Sequence, residues 1–438
     1  MIVAMETNDD SSRSIELSRR LDLVAASPGA ELSGLAFVAI EDGSVSYERY
    51  LGRRFIHPTD PSLDLPVTAG TRFRVASISK PFVGVACMML VEEGLLDLDA
   101  DVSDYLGWRL RNPAFPDAPI TPAMLLSHVS SLRDGGNYSL PPGRSLREFF
   151  EPGSDAWEGG AHFAGTPSDP RLAPGGYYAY CNLGFGVIGT ILERVTGRRF
   201  DLFMRERVLA PLGVGGSFNV RLLSDDGLAD LAALYRKGRG EDDWNYAGPW
   251  LAQVDDLRGV RPSSNPSDAA IAAYEPGVNA TWFSPQGGLR ASAREVARLA
   301  LMFMGRGEVD GARILSAKSV ETMREARWTF DRATMNGDLG RGKSRRSGLA
   351  LFMTTDSRDE FGGNYLREAG GVAMEGHHAD AYGLLGGMLF DVDARKGFVY
   401  LIGGTSVDPE TRGGVFSSYY SWQEGIQAAA VDYLYGSR

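Results

Sequence analysis

Apolar positions along the chain change rhythm several times. Residues 1–13 are polar and are expected to be frayed or disordered. Ile15, Leu17, Leu21 and Val24 then recur at helical spacing, and Pro28-Gly29 ends that helix. Leu35–Ile40 and Val45–Leu51 are short strand-like runs, and Glu41-Asp42-Gly43-Ser44 between them predicts a hairpin. From Thr71 to Gly213 helical patterns alternate with Pro/Gly loops, whereas 237–285, with Pro249, Pro262, Pro266 and Pro276, reads as an irregular excursion. Ser292 and Glu295 form an S-x-x-E box before Val296, Leu299, Ala300 and Phe303, which predicts a helix over 293–304. Gly348–Met353, Tyr382–Phe390 and Phe398–Gly403 read as strands, and a second box, Ser421 and Glu424, opens a terminal helix carrying Trp422, Ile426 and Leu434.

This order predicts an α/β (α+β) fold in which a sheet flanked by helices is completed from both chain ends, residues 14–75 and 285–438. Residues 76–284 form an inserted, mainly helical domain carrying the excursion 237–284. The 438 residues, 43% hydrophobic and 23% charged, are ample for a core. A net charge of −11 argues against a nucleic-acid tracker or a basic membrane binder. No apolar run approaches ~18 residues, so no transmembrane helix is expected. MIVAMETNDDSSRS lacks a signal-peptide pattern, which makes the cytoplasm the expected compartment. Cys87 and Cys181 are too few for a disulfide framework or zinc ribbon. A small-molecule partner is expected, with no cofactor and no metal; the sequence leaves the oligomeric state open.

Ser77-Ile78-Ser79-Lys80 is an S-x-x-K sequence, weak by itself. Its context strengthens it: Phe82–Val91 is apolar nearly all round, the mark of a buried helix, and Pro81 is tolerated only in a first turn. The helix therefore starts near Ser77, and residues three apart bring the Ser77 hydroxyl and Lys80 amine onto one face. Burial and the helix dipole would lower the Lys80 pKa and make it a neutral base, a role closed to arginine. Only Lys80, Lys237, Lys318, Lys343 and Lys396 are lysines among 45 basic residues, so a retained amine is informative. Ser79 on the same turn is the rival, as a mere cap. In an extended Tyr180-Cys181-Asn182 segment, Tyr180 and Asn182 project to one side. A tyrosinate there would accept the serine proton and Asn182 would hold a substrate carbonyl; the plainer reading is a core tyrosine and a turn asparagine. Gly376–Gly383 opens the strand running to Phe390, where only one of His377 and His378 can face a cleft. A backbone N–H from this strand, with that of Ser77, would form an oxyanion hole. No G-x-S-x-G elbow and no nucleotide-binding glycine pattern is present. Arg341–Arg346 reads as a solvated loop and Cys87 as core.

Together these segments resemble the serine hydrolase family of class C β-lactamases and penicillin-binding proteins, which includes family VIII esterases, D-aminopeptidases and some acyltransferases. The resemblance runs from about residue 32 onward, through Arg72–Pro81, Glu93–Asp99, Ile120-Thr121 to Leu125-Leu126-Ser127-His128, Tyr180–Gly186, Pro211-Leu212-Gly213, Gly287-Gly288-Leu289 and the His377 strand. It implies an antiparallel sheet of the β-lactamase/transpeptidase type. It also implies Ser77 as acylated nucleophile, Lys80 and Tyr180 as its base pair and Asn182 as a substrate-positioning group. The third family motif is usually Lys-Thr-Gly or His-x-Gly; aligning its downstream glycine with Gly383 puts His377 first. Ala379 then stands where glycine is usual, followed by Asp380, whose carboxylate would disfavour carboxylate-bearing substrates. The expected function is ester or amide hydrolysis, by an esterase or a D-stereoselective amidase or peptidase with at most weak β-lactamase activity. An acyltransferase or peptide cyclase, and a non-catalytic penicillin-binding-type sensor, are the alternatives.

Overall fold

The computed structural model describes residues 8–165, 169–238, 244–256, 267–356 and 358–436. The principal elements in chain order are α1 (Asn8–Ala25), β1 (Gly34–Glu41), β2 (Ser44–Phe55), α2 (Ser79–Glu92), α3 (Leu183–Thr196) and α4 (Ala293–Met304). They are followed by β3 (Glu375–Ala381), β4 (Leu384–Asp391), β5 (Lys396–Ile402) and α5 (Ser421–Tyr435). Five strands form the body of an antiparallel sheet in the order β3-β4-β5-β1-β2. Short strands extend it at both edges: Phe352–Met353, Arg346–Ser347 and Trp328–Thr329 beyond β3, and Leu65–Pro66 beyond β2. β1 pairs with β5 from Leu35 opposite Ile402 to Ile40 opposite Gly397, so the two chain ends do meet in the middle of the sheet.

Both faces of that sheet are covered. Ala36, Val38 and Ile40 face one core, shared with Val296, Ala300 and Phe303 of α4. Leu35, Phe37 and Ala39 face the other, shared with Leu17 and Leu21 of α1 and Ile426, Ala430 and Leu434 of α5. A strand buried on both sides has little use for polar alternation, which explains the continuous apolar runs. The expected β1–β2 hairpin turns at Asp42-Gly43, both at positive φ (54° and 74°) as a two-residue hairpin turn requires.

Five expectations change. Gly348–Met353, expected as a strand, is one only at Phe352–Met353, the chain turning through Ala350 at φ 58°. The run expected as one strand from Gly376 to Phe390 is a hairpin: β3 stops at Ala381 and β4 begins at Leu384, with Tyr382 and Gly383 at φ of 56° and 85°. The Ser292–Glu295 box forms, but the Ser421–Glu424 box does not. Helix α5 is capped one residue earlier, at Tyr420, and Glu424 turns back to accept N–H bonds from Val415, Phe416 and Ser417. Arg341–Arg346 is solvated only at its ends, where Arg341 and Arg346 are exposed: Arg345 pairs with Asp359 and the Lys343 ammonium lies 3.8 Å over the Tyr420 ring. Helix α1 already runs from Asn8, through residues expected to be frayed. Residues 1–7 lie outside the described residues, as do 239–243 and 257–266 of the excursion, including Pro262 and Pro266. At the excursion's start, Leu234–Lys237 pairs with Trp250–Val254 and, in parallel, with Gly404–Thr405.

Gly383 closes the β3–β4 turn against the Tyr235 backbone, where an added Cβ would sit 2.2 Å from the carbonyl oxygen. Positive φ and that clash act together in Gly383→Ala, which should cost about 2–3 kcal/mol. A thermal melt checks it, and an unchanged Tm would refute the packing described here.

Candidate active site

Ser77 lies in the single turn Ala76–Ile78 that leads into α2. Ala76 just before it is held at φ 45°, a left-handed conformation that a non-glycine residue adopts only when its surroundings enforce it. The enforcement comes from Phe73–Arg74, paired with Arg290–Ala291, and from the Val75 N–H bonded to the Leu289 carbonyl. Ser79 is buried and accepts the Leu289 N–H at 3.1 Å, so it serves packing and leaves Ser77 as the hydroxyl of the site.

Lys80 is 0% exposed. Its Nζ lies 3.1 Å from Ser77 Oγ, and donates to Asn182 Oδ1 and to the Gln286 carbonyl, each at 2.8 Å. Burial pulls its pKa down to about 7, against the opposing pull of the Asp134 carboxylate. The neutral amine has two hydrogens. Asn182 Oδ1 and the Gln286 carbonyl take both, which turns the lone pair toward Ser77 Oγ. Tyr180 donates its hydroxyl to Ser77 Oγ at 2.7 Å and occupies a Ser77 lone pair, so the serine's own proton is directed to Lys80.

Burial pushes the Tyr180 phenol well above its ordinary value, with the Ser77 hydrogen bond acting weakly the other way. The residue expected as a tyrosinate is therefore a phenol in the resting site, and Lys80 is the group with a free lone pair. Tyr180 is braced by the His128 ring, 4.4 Å between centroids, and the Cys181 N–H donates to His128 Nδ1 at 3.1 Å. Burial and then the Lys80 charge hold His128 well below its ordinary pKa, so it is neutral.

His377 reaches the site and His378 does not. His377 is 1% exposed, stacks on Phe352 at 4.5 Å and has its ring 6.3 Å from that of Tyr180. Its Nδ1–H donates to the His378 carbonyl at 2.7 Å, and burial keeps the ring neutral. On the opposite face of β3, His378 Nε2 bonds the Tyr419 hydroxyl at 2.8 Å. Asp380 shares that opposite face, with Lys343 and Arg236 supplying positive charge beside it and the Tyr420 hydroxyl in reach. Burial nevertheless outweighs those charges and raises the Asp380 pKa, and on the alternating strand its side chain is turned away from the His377 side. β3 has β4 along one flank, but its other flank pairs only at Glu375 and Gly376 with Phe352–Met353. Among the described residues no strand pairs with His377–Ala381 on that side, where the strand lies against the Ala76–Ile78 turn.

Asp134 escaped the sequence reading. Its Oδ1 accepts the backbone N–H of Asn182 at 2.5 Å and of Leu183 at 2.9 Å, and its Oδ2 accepts Asn182 Nδ2 at 2.8 Å. A lone aspartate in a loop gives no spacing signal. Arg74 was also missed: its buried guanidinium donates to the Gly287 carbonyl and lies 4.7 Å over the Tyr382 ring, tying the β3–β4 turn to the strand before Ser77. Among the described residues no group of three or more His, Cys, Asp or Glu side chains is placed to hold a metal, and no helix is long and apolar enough to cross a membrane.

Penicillin-binding protein 4 of Amycolatopsis lactamdurans is 28% identical over 263 residues, 59% of this chain and 58% of that protein. Esterase EstB of Burkholderia gladioli is 31% identical over 210 residues, 45% of this chain and 50% of its own. The chain thus spans little more than half the length of these curated relatives. D-amino acid amidase from Ochrobactrum anthropi SV3 has the same fold, with a TM-score of 0.62 at 17% identity, covering 97% of this chain and 100% of that one. The family model described as Beta-lactamase matches residues 22–416, a stretch that holds the Ser77 turn, the Tyr180 segment and β3 alike, and the chain belongs to that family.

Proposed function

We propose that the protein is a serine hydrolase that cleaves an ester or amide of a small molecule or short peptide through an acyl-enzyme on Ser77. The observation that carries this reading is the environment of Lys80, a buried amine 3.1 Å from Ser77 Oγ with two further acceptors, so that its neutral form can keep both hydrogens on those acceptors and turn its lone pair to the serine. Ser77 Oγ attacks the substrate carbonyl as its proton passes to Lys80. The oxyanion is met by backbone N–H groups of Ser77 and the open flank of β3. The alcohol or amine leaves with a proton relayed from Lys80 through the Tyr180 hydroxyl, and water then attacks the acyl-serine with the same groups in reverse. An extended amide substrate would lie along the open flank of β3 as an added strand.

Names of relatives support the bond type: one is an esterase and one structural neighbour a D-amino acid amidase. His377, neutral and buried, offers no fixed charge to a substrate carboxylate, which favours uncharged acyl groups over penicillins. Intact mass spectrometry tests the reading. Brief exposure to a fluorophosphonate should add one covalent label at Ser77, and p-nitrophenyl butyrate should release nitrophenol in many turnovers. D-phenylalanine amide should be cleaved ahead of benzylpenicillin. Absence of any adduct sinks the acyl-enzyme, and rapid benzylpenicillin turnover sinks the substrate preference.

A further inference from the structure

We infer that Asp134 is a positioning residue that acts on the nucleophile through Asn182, by locking the Asn182 amide so that its oxygen faces Lys80. The inference rests on Ser77 and Lys80 acting as proposed above. A carboxylate only accepts hydrogen bonds, so the end of the Asn182 amide that meets Asp134 Oδ2 is its NH2 group, and Oδ1 is left for the Lys80 amine. The two backbone N–H groups on Asp134 Oδ1 belong to Asn182 and Leu183, donors at the start of α3 that have no partner within the helix. One aspartate therefore fixes both the place of Asn182 and the sense of its amide.

That sense decides where the Lys80 lone pair points. Asp134→Asn keeps the size and an acceptor for the backbone donors, but sets a second NH2 group against Asn182 Nδ2. The conflict is relieved by flipping the Asn182 amide. A flipped amide presents a donor to Lys80, and the lone pair that should receive the Ser77 proton is then occupied. The charge matters as well. Tyr180 and Cys181 from the segment before α3, His128 from its loop, His377 from β3 and Asp134 are the titratable groups around Lys80. Burial keeps the phenol, the thiol and both imidazoles uncharged, which leaves the Asp134 carboxylate as the formal charge facing the amine.

The test uses the full chain, with p-nitrophenyl butyrate hydrolysis followed from pH 5 to 10 and near-UV circular dichroism as the check on folding. Fluorophosphonate labelling of wild type against Ser77→Ala comes first: equal labelling would remove the Ser77 reading itself, independently of Asp134. With labelling at Ser77 established, Asp134→Asn should lose about 100-fold in kcat, the scale of a misaligned reacting group. Its acidic limb should move to lower pH, because removing a negative charge favours the neutral amine. Asp134→Asn combined with Asn182→Asp restores a donor facing an acceptor and again turns an oxygen to Lys80. The pair should recover at least tenfold over Asp134→Asn, with its acidic limb above that of wild type because the charge is now adjacent. Unchanged kcat and limb in Asp134→Asn would overturn the inference. So would a loss that the double variant does not relieve, since a plain helix cap explains it. Should Asp134→Asn fail to fold, the double variant alone decides, by whether it turns over with the raised limb.

Discussion

Ser77→Ala is expected to abolish turnover of p-nitrophenyl butyrate, with kcat down by on the order of 10⁴-fold or more, and to prevent fluorophosphonate labelling. The size follows from the way the site is shared. Lys80 and Tyr180 both point at one oxygen, and removing it deletes the proposed nucleophile together with the hydrogen-bond partner those two groups share. The remaining groups keep their other contacts, Lys80 with Asn182 and Gln286 and Tyr180 with the ring of His128. Tm should therefore stay within a few degrees of wild type. A folded Ser77→Ala protein that still forms an acyl adduct would place the nucleophile elsewhere.

Lys80→Arg should cost at least about 10³-fold in kcat/KM at every pH between 6 and 10, although the positive charge is retained. In the wild type, kcat/KM should rise with pH, reach half its plateau near 7 and level off above it, because the amine works only when deprotonated and burial brings its pKa down to about 7. A guanidinium stays protonated throughout that range, so the variant has no basic form to populate. It must also fit a wider head into a fully buried position between Ser77, Asn182 and the Gln286 carbonyl. A pH–rate profile of both proteins decides the matter. A wild-type profile flat between pH 5 and 9 would remove Lys80 as the base.

Ser77 and Lys80 were legible because both signals are local: a three-residue spacing and an apolar run that can only be a buried helix. Tyr180 and Asn182 were legible together in an expected extended segment, although Asn182 turns into α3 at φ −76° and ψ −38° and meets Lys80 from the helix cap. Their chemistry was not, since the choice between phenol and tyrosinate depends on burial by His128 and Phe352, residues far away in sequence. Asp380 misled for a related reason. Its neighbours Lys343 and Arg236 come from other segments, and composition cannot place them beside it. The sheet was readable as apolar runs, but the break in 376–390 was hidden because Tyr382, a residue at home in strands, sits in the turn at positive φ. Asp134 had no pattern to betray it; only the fold shows that it serves Asn182.

Pairing of β1 with β5 sets the order in which this protein can be made. The innermost strand is synthesised long before β5, the neighbour that covers one of its flanks. β3, whose open flank borders the Ser77 turn, also belongs to that late segment. A growing chain therefore carries Ser77 and Lys80 long before it carries the wall they work against, and its unpaired β1 edge must be kept from other chains in the meantime. The proposed site is complete only once β3 to β5 have been made, and chains interrupted before β5 should be inert and prone to associate.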